Sequence, residues 1–200
     1  VPGFGSARFE DYRNGIAREL LHMGYVPSMR VLQASDFGVP QLRPRFIIVA
    51  IKKSHAKHFV WPEPFVDKRT VAGALVDLMA SNGWKHASRW SRQAEAVGPT
   101  LVGGSKLHGG PDLGPTRARR QWAELGVNGA GIADVAPGPE HSEDHMPKLT
   151  VRMAARIQGF PDNWVFAGGK TAAYRQIGNA LPPPVATAVG GAIKRALEAV

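Results

Sequence analysis

The middle of the chain, from about residue 82 to residue 147, has no sustained spacing of apolar residues. This middle stretch is crowded with glycine, proline, tryptophan, arginine and lysine, and it includes the pairs Gly103–Gly104 and Gly109–Gly110. Glycine and proline interrupt helices and strands alike, so one long regular element cannot occupy it. The stretch therefore predicts a loop-rich, basic module between two more regular segments.

The segment before the middle stretch predicts one helix and two strands. Between residues 9 and 23 apolar side chains recur every three or four positions, which indicates one face of a helix, and Gly24 can end it in a left-handed turn. Residues 26–32 and 46–51 are rich in β-branched side chains, which favours strands. Residues 36–40 carry turn-forming residues, so we expect an ordered loop between the strands.

Four more helices are predicted around and after the middle stretch. Thr70 and Thr150 are each placed to cap the N-terminus of one of them. Proline is tolerated in the first turn of the last one. The four helices are expected at residues 71–79, 151–158, 171–180 and from Pro183 to the end.

The charge of the chain points to a polyanionic partner. Lysine and arginine total 25 against 16 aspartate and glutamate, a formal net charge of +9 with histidine neutral. Such an excess is typical of proteins that bind nucleic acid. No apolar run approaches the roughly 20 residues that a membrane helix requires, so we expect a soluble, cytoplasmic protein with no membrane partner.

The sequence contains no cysteine, which excludes disulfides, thiolate metal sites and a cysteine nucleophile within these residues. His141 and His145 have the spacing of one helical face and could form a metal pair. Prolines flank them and no third ligand is evident, so a solvated acidic loop is the better interpretation. We therefore expect no metal site.

One short motif has the chemistry of an anion or base contact. Gln41-Leu42-Arg43-Pro44-Arg45 places two arginines two residues apart on an extended segment, which projects them to the same side. Each guanidinium offers several fixed donors that suit a carboxylate, a phosphate or a base carbonyl. Taken alone, the motif fits a solvated arginine pair on an edge strand equally well.

Three blocks along the chain together resemble the DNA cytosine-5 methyltransferases. Residues 31–49, with Asp-Phe-Gly-Val-Pro before the arginine motif, resemble the family's Gln-x-Arg-x-Arg block. Residues 149–164, with Gln-Gly-Phe-Pro-Asp at 158–162, resemble the ninth block, and residues 174–186, with Gly178-Asn179 and three prolines, resemble the tenth. The blocks stand in family order, with a basic variable segment between the first two.

The resemblance implies an α/β fold, the C-terminal part of a Rossmann-like S-adenosylmethionine-dependent methyltransferase domain with a small loop-rich target-recognition domain. Residues 1–63 would be part of the catalytic domain. Residues 64–147 would be the target-recognition domain, and residues 148–200 would be helices that return to the catalytic domain. Trp84, Trp90 and Trp122 are expected to form the small core of the recognition domain.

The implied activity is methyl transfer from S-adenosylmethionine to C5 of a flipped cytosine in double-stranded DNA, in a bacterial or phage restriction–modification setting. The family first adds a cysteine thiolate to C6 of the base, assisted by a glutamate. Residues 1–4 resemble the residues that begin at the Val of the family's Glu-Asn-Val block, so this glutamate, like most of the cofactor site, would lie upstream. We therefore expect this chain to be inactive alone and to need the N-terminal half of the enzyme, in cis or as a separate chain.

Other functions stay open at this point. The chain could be a separate, non-catalytic DNA-recognition subunit of a split methyltransferase, which nothing in the residues excludes. It could also be a degenerate homologue that binds DNA without catalysis. The RNA-modifying branch of the family is a further alternative, although its usual cysteine-containing signature is missing here.

Residue roles follow from the resemblance. Arg45 would donate to the O2 side of the flipped cytosine, and Arg43 would lie beside it and order the pocket or meet a phosphate. Asn179, with Gly178, would bind the cofactor, and Arg152 with residues 158–162 would anchor the recognition domain. The expected DNA contacts, to base edges or phosphates, are Gln41, Thr100, Leu101, Ser105, Lys106, His108, Arg117, Arg119 and Arg120.

Overall fold

The computed structural model describes residues 2–65, 67–103 and 111–199. Within these ranges the chain forms seven α-helices and one two-stranded sheet. In chain order they are α1 (Glu10–His22), β1 (Tyr25–Gln33), β2 (Pro44–Lys52), α2 (Val71–Ala80), α3 (Ala87–Gln93), α4 (Thr116–Glu124), α5 (Val151–Ile157), α6 (Lys170–Asn179) and α7 (Pro183–Glu198). This mixed helix and strand content agrees with the α/β expectation.

The two predicted strands are confirmed and pair antiparallel along their whole length, from Tyr25 opposite Lys52 to Gln33 opposite Pro44. The strand loop, residues 34–43, joins them and is ordered as expected. It begins with a short 3₁₀ turn and reverses at Gly38, whose φ of +76° lies in the left-handed region that favours glycine. Seven of the ten loop residues are buried, so packing as well as turn chemistry fixes its shape.

Helix α1 is confirmed in position but not in burial. It ends at His22 and is followed by Gly24 at φ +82°, as the sequence predicts. None of its residues is buried in the described structure, and Tyr12 is 65% exposed. The helix contacts β1, but its apolar side chains stay partly exposed. The apolar spacing therefore predicts the helix correctly but not its burial.

Two predicted helix caps are present. The hydroxyl of Thr70 accepts a hydrogen bond from the backbone N–H of Gly73 at 3.0 Å. The hydroxyl of Thr150 accepts from the N–H of Met153 at 3.2 Å. Each cap satisfies a backbone donor that the first turn would leave unpaired, which fixes where α2 and α5 begin.

The middle stretch is more regular than the sequence predicts. It contains α3 and α4, two short polar helices that no apolar periodicity indicated. Each carries one buried tryptophan, Trp90 and Trp122, and Trp84 lies buried just before α3. The predicted burial of these tryptophans is confirmed, although the cluster they join extends to α5 and α6. The two helices were not predicted within the loop-rich module, and one large anchor holds each of them in place.

The buried apolar residues form two clusters. The first joins α2, α3 and α4 to α5 and α6, with Leu75, Trp122 and Tyr174 among its fully buried members. The second joins the strand pair and the strand loop to α7. The C-terminal segment is thus shared between the two clusters, while the domain boundaries at residues 63/64 and 147/148 stay predictions.

Candidate active site and DNA interface

Arg43 is the most buried charged residue of the strand loop, with 1% of its surface exposed. Its Nη1 donates to the carbonyl of Leu101 and, at 3.2 Å, to Oε1 of Gln41. Its Nη2 donates to the carbonyl of Gly178 and, at 3.2 Å, to that of Ala180. One guanidinium therefore ties the strand loop to two distant parts of the chain.

Two buried glutamines complete this network. Gln41 donates from Nε2 to Oε1 of Gln158 at 2.7 Å, and its own Oε1 accepts the backbone N–H of Leu101 at 2.7 Å. Gln158 in turn donates from Nε2 to the carbonyl of Ala180 at 2.9 Å. Both glutamines are bonded at both amide atoms, and buried amides paired in this way favour a single arrangement of the segments they join.

The strand loop also pairs by backbone with the segment that leads to Thr100. The N–H of Leu42 donates to the carbonyl of Gly98 at 2.8 Å, and the N–H of Gly98 donates to the carbonyl of Pro40 at 3.1 Å. The Thr100 hydroxyl donates to the carbonyl of Leu42. The loop is thus held from both its side chains and its backbone.

The hydrogen-bond partners of Arg43 in the described structure are carbonyl and amide oxygens rather than carboxylates. Burial, and secondarily the nearby charge of Arg45, lower the pKa of Arg43 to about 10. The group stays protonated at neutral pH. Because the partners of the Arg43 guanidinium are neutral oxygens, its positive charge is not cancelled by them and raises the electrostatic potential around Arg45.

Arg45 is placed differently from Arg43, although the two are separated by one residue. It is half-buried, burial lowers its pKa, and its Nη1 donates to the carbonyl of Pro44 at 2.9 Å. A guanidinium has five N–H donors, so several remain for a ligand. Of the two predicted catalytic arginines, Arg45 keeps an exposed surface, whereas Arg43 holds the loop and has no surface with which to meet a phosphate.

The two predicted cofactor residues are adjacent at the end of α6 but differ in exposure. Gly178 is buried, and a Cβ there would lie 2.4 Å from the Cα of Gly103, so only glycine allows this close approach of two backbones. Asn179 is exposed, and its side chain lies against Gly103. Only Asn179 of the pair therefore presents a side chain to a ligand.

Two predicted DNA contacts are inside the protein. Leu101 is fully buried in the first apolar cluster, and Gln41 is fully buried with both amide atoms bonded to protein. Neither can touch DNA in this structure, so their expected contacts are replaced by a structural role. Thr100 is half-buried beside them and keeps a surface.

The remaining predicted DNA contacts fall into two groups. Arg117, Arg119 and Arg120 are exposed on α4, whose other face is anchored by Trp122. Ser105, Lys106 and His108 lie outside the described residues.

The sequence did not indicate one ion-pair cluster at the rim of the first apolar cluster. Arg156 on α5 pairs with Asp77 on α2 at 2.5 Å and with Asp162. The hydrogen bond from Arg156 holds the pKa of Asp162 below its usual range. Arg152 donates to the carbonyls of Pro161, at 3.2 Å, and Trp164, at 2.8 Å.

Sequence comparison identifies the family. The family described as C-5 cytosine-specific DNA methylase matches residues 1–195. The chain belongs to this family. Its match spans all three blocks noted in the sequence and the variable segment between them.

Two relatives of this family member are Type II methyltransferases by name. The chain is 55% identical over 199 residues to Type II methyltransferase M.NaeI of Lentzea aerocolonigenes, covering 99% of this chain and 48% of the relative. It is 44% identical over 207 residues to Type II methyltransferase M.NgoMIV of Neisseria gonorrhoeae, covering 99% and 63%. The chain therefore spans between about half and somewhat under two thirds of the length of these relatives.

The fold is shared with solved methyltransferase structures. The Dnmt2 methyltransferase of S. pombe superposes with a TM-score of 0.56 at 14% identity, covering 99% of this chain and 65% of that one. Identity this low supports a common fold only. In the part of the chain that the structure describes, no helix combines the length and apolar character needed to cross a membrane.

Proposed function

We propose that this chain is the target-binding part of a DNA cytosine-5 methyltransferase of the restriction–modification type. The observation that carries the proposal is the contrast between Arg43 and Arg45. Arg43 is buried and fixes the strand loop, while Arg45 presents unused donors at the same loop. The family description supports DNA as the substrate, and the names of the relatives support a Type II system as the setting.

Arg45 is proposed to bind O2 of a cytosine that has been turned out of the duplex. Addition of a thiolate to C6 of the ring pushes electron density toward O2 and N3, and C5 then becomes nucleophilic enough to take a methyl group. A guanidinium held at O2 stabilises that charge as it develops. Because the loop is fixed before substrate arrives, little reorganisation is needed.

The thiolate must come from another part of the protein, because this sequence has no cysteine. The N-terminal half of the enzyme, in cis or as a separate chain, is the proposed source. S-adenosylmethionine supplies the methyl group when bound. Asn179, exposed at the end of α6, fits a contact with it, whereas Gly178 shapes the turn from within.

DNA contacts are proposed for α4 and for Thr100. The three exposed arginines of α4 suit phosphates, which give affinity without sequence preference. Thr100 is half-buried and bonded to the strand loop that carries Arg45, which fits a contact near the target nucleotide. The predicted contacts at Ser105, Lys106 and His108 remain part of the proposal by sequence alone.

The proposal is tested by Arg45→Ala in the complete enzyme. Loss of one donor at a developing negative charge lowers turnover by about 100- to 1,000-fold. We expect this loss in the single-turnover rate of methyl transfer to duplex DNA, with DNA affinity changed little.

The matched control is Arg18→Ala, which removes an exposed guanidinium on α1, outside the strand loop and its partners. It should leave the methyl-transfer rate near that of the parent. A near-normal rate for Arg45→Ala would refute the assignment of Arg45 to the target base.

A further inference from the structure

The hydrogen bonds of Arg43 divide between two regions to which the proposed function assigns different ligands. Nη1 donates to the carbonyl of Leu101, and Nη2 donates to that of Ala180. Leu101 follows Thr100, the proposed DNA contact, and Ala180 follows Asn179, the proposed cofactor contact. A single side chain therefore bridges the two sites.

The bridge is rigid. A guanidinium is planar and holds its donors in a fixed fork, and this one is buried. Gln41 strengthens the Leu101 end, because its Oε1 accepts both the N–H of Leu101 and Nη1 of Arg43. A displacement of the Leu101 peptide must therefore tilt the guanidinium or break its bonds at the other end.

A second contact joins the same two regions without Arg43. A Cβ on Gly178 would lie 2.4 Å from the Cα of Gly103, and a Cβ on Gly103 would lie 2.5 Å from Oδ1 of Asn179. One turn earlier on α6, the hydroxyl of Tyr174 donates to the carbonyl of Asp112 at 2.9 Å, which holds the helix but joins neither region directly. The 99–103 segment and the 178–181 turn thus lie in direct contact, with no room to shift independently.

We propose that Arg43 is a positioning residue that couples DNA binding at Thr100 to the geometry of the 178–181 turn that presents Asn179. The proposal rests on the proposed function. DNA bound at the 99–103 segment favours the turn conformation that binds the cofactor, and the cofactor favours DNA binding by the same factor, since such coupling is reciprocal. Arg43 itself touches neither ligand.

The test uses this chain and a reporter on the turn. The sequence has no cysteine, so Leu181→Cys, at a position that is 41% exposed, gives a single attachment point for an environment-sensitive fluorophore. A mixed-sequence DNA duplex is titrated at low ionic strength, and its affinity is followed separately by anisotropy of a labelled duplex. We expect the emission of the reporter to change as DNA binds.

Arg43→Lys keeps the charge and removes the fork, since one ammonium cannot hold acceptors on both sides. We expect most of its DNA-induced emission change to be lost. The emission change of each variant is compared at saturating duplex, so a difference in DNA affinity does not enter the comparison. Arg152→Lys is the matched control, because its guanidinium also donates to two carbonyls but joins neither region, and it should keep the full response.

The outcomes separate the two proposals. Failure of the parent chain to bind the duplex would refute the proposed DNA-binding function. Binding with no emission change, or an equal change in Arg43→Lys, would refute the coupling alone.

A second measurement needs no substitution at Arg43. Hydrogen exchange of the parent chain, with and without duplex, should show the amides of Leu101 and Ala180 gaining protection together. Protection confined to Leu101 would overturn the coupling, even if Arg43→Lys does not fold.

Discussion

Helix α1 is less buried than its sequence indicates, and the middle stretch is more buried. Helix α1 has the clearer apolar periodicity, yet none of its residues is buried in the described structure. The middle stretch has no such periodicity, yet Trp84, Trp90 and Trp122 are at most 5% exposed. Periodicity thus predicts the local conformation, whereas burial depends on what packs against the element, and a few large aromatic side chains can form a core without it.

The largest effect that follows from this comparison is at Trp122. This side chain is fully buried and packs against Gly98. We expect Trp122→Ala to lower the free energy of unfolding by about 3–5 kcal/mol, because it leaves a large cavity. Urea denaturation followed by circular dichroism measures it.

The control is Tyr12→Ala on α1, where the side chain is 65% exposed. A change within about 0.5 kcal/mol is expected there. Equal costs for the two substitutions would mean that the two regions do not differ in burial as described.

A smaller effect on stability is expected from alanine substitutions at two glycines, with opposite signs. We expect Gly178→Ala to destabilise the fold by about 1–3 kcal/mol, because its Cβ would collide with the backbone of Gly103. Gly15, inside α1, has nothing within 4 Å of an added Cβ. Gly15→Ala should therefore stabilise the chain by about 0.5–1 kcal/mol through helix propensity.

Thermal unfolding of both glycine variants beside the parent chain tests this prediction. Destabilisation by Gly15→Ala would show that α1 is packed on more sides than described. A thermal stability of Gly178→Ala equal to that of the parent would contradict the close contact between the 99–103 segment and the 178–181 turn.

The smallest effect concerns the acid stability of the first apolar cluster. The pKa of Asp162 is held below its usual value of 3.8 by Arg156, so the folded state favours the ionised carboxyl. This contribution is present above about pH 3.8 and is lost as the pH falls through the lower folded-state pKa.

Asp162→Asn removes that contribution. The urea midpoints of parent and variant should therefore differ at neutral pH and converge below pH 3.8. A difference in urea midpoint that stays constant across this range would show that the stabilisation does not depend on the ionised form of Asp162.

Local chemistry made much of the fold predictable. The caps at Thr70 and Thr150, the left-handed turn at Gly24 and the two strands each depend on residues close in sequence. Helices α3 and α4 could not be predicted in this way, because each is short and polar and is stabilised by a tryptophan that packs on distant residues.

The sequence by itself determined the family blocks, the basic charge and the candidate residues Arg43, Arg45 and Asn179. Only the tertiary structure decided which of them can face a ligand. Arg43 and Gln41 turn inward because carbonyls and amides from residues more than fifty positions away complete their hydrogen bonds. Arg45 is left half-exposed with donors to spare. Sequence motifs specify the donors, but burial is a property of the assembled segments, since a polar group is withdrawn from water only where partners from elsewhere in the chain replace it.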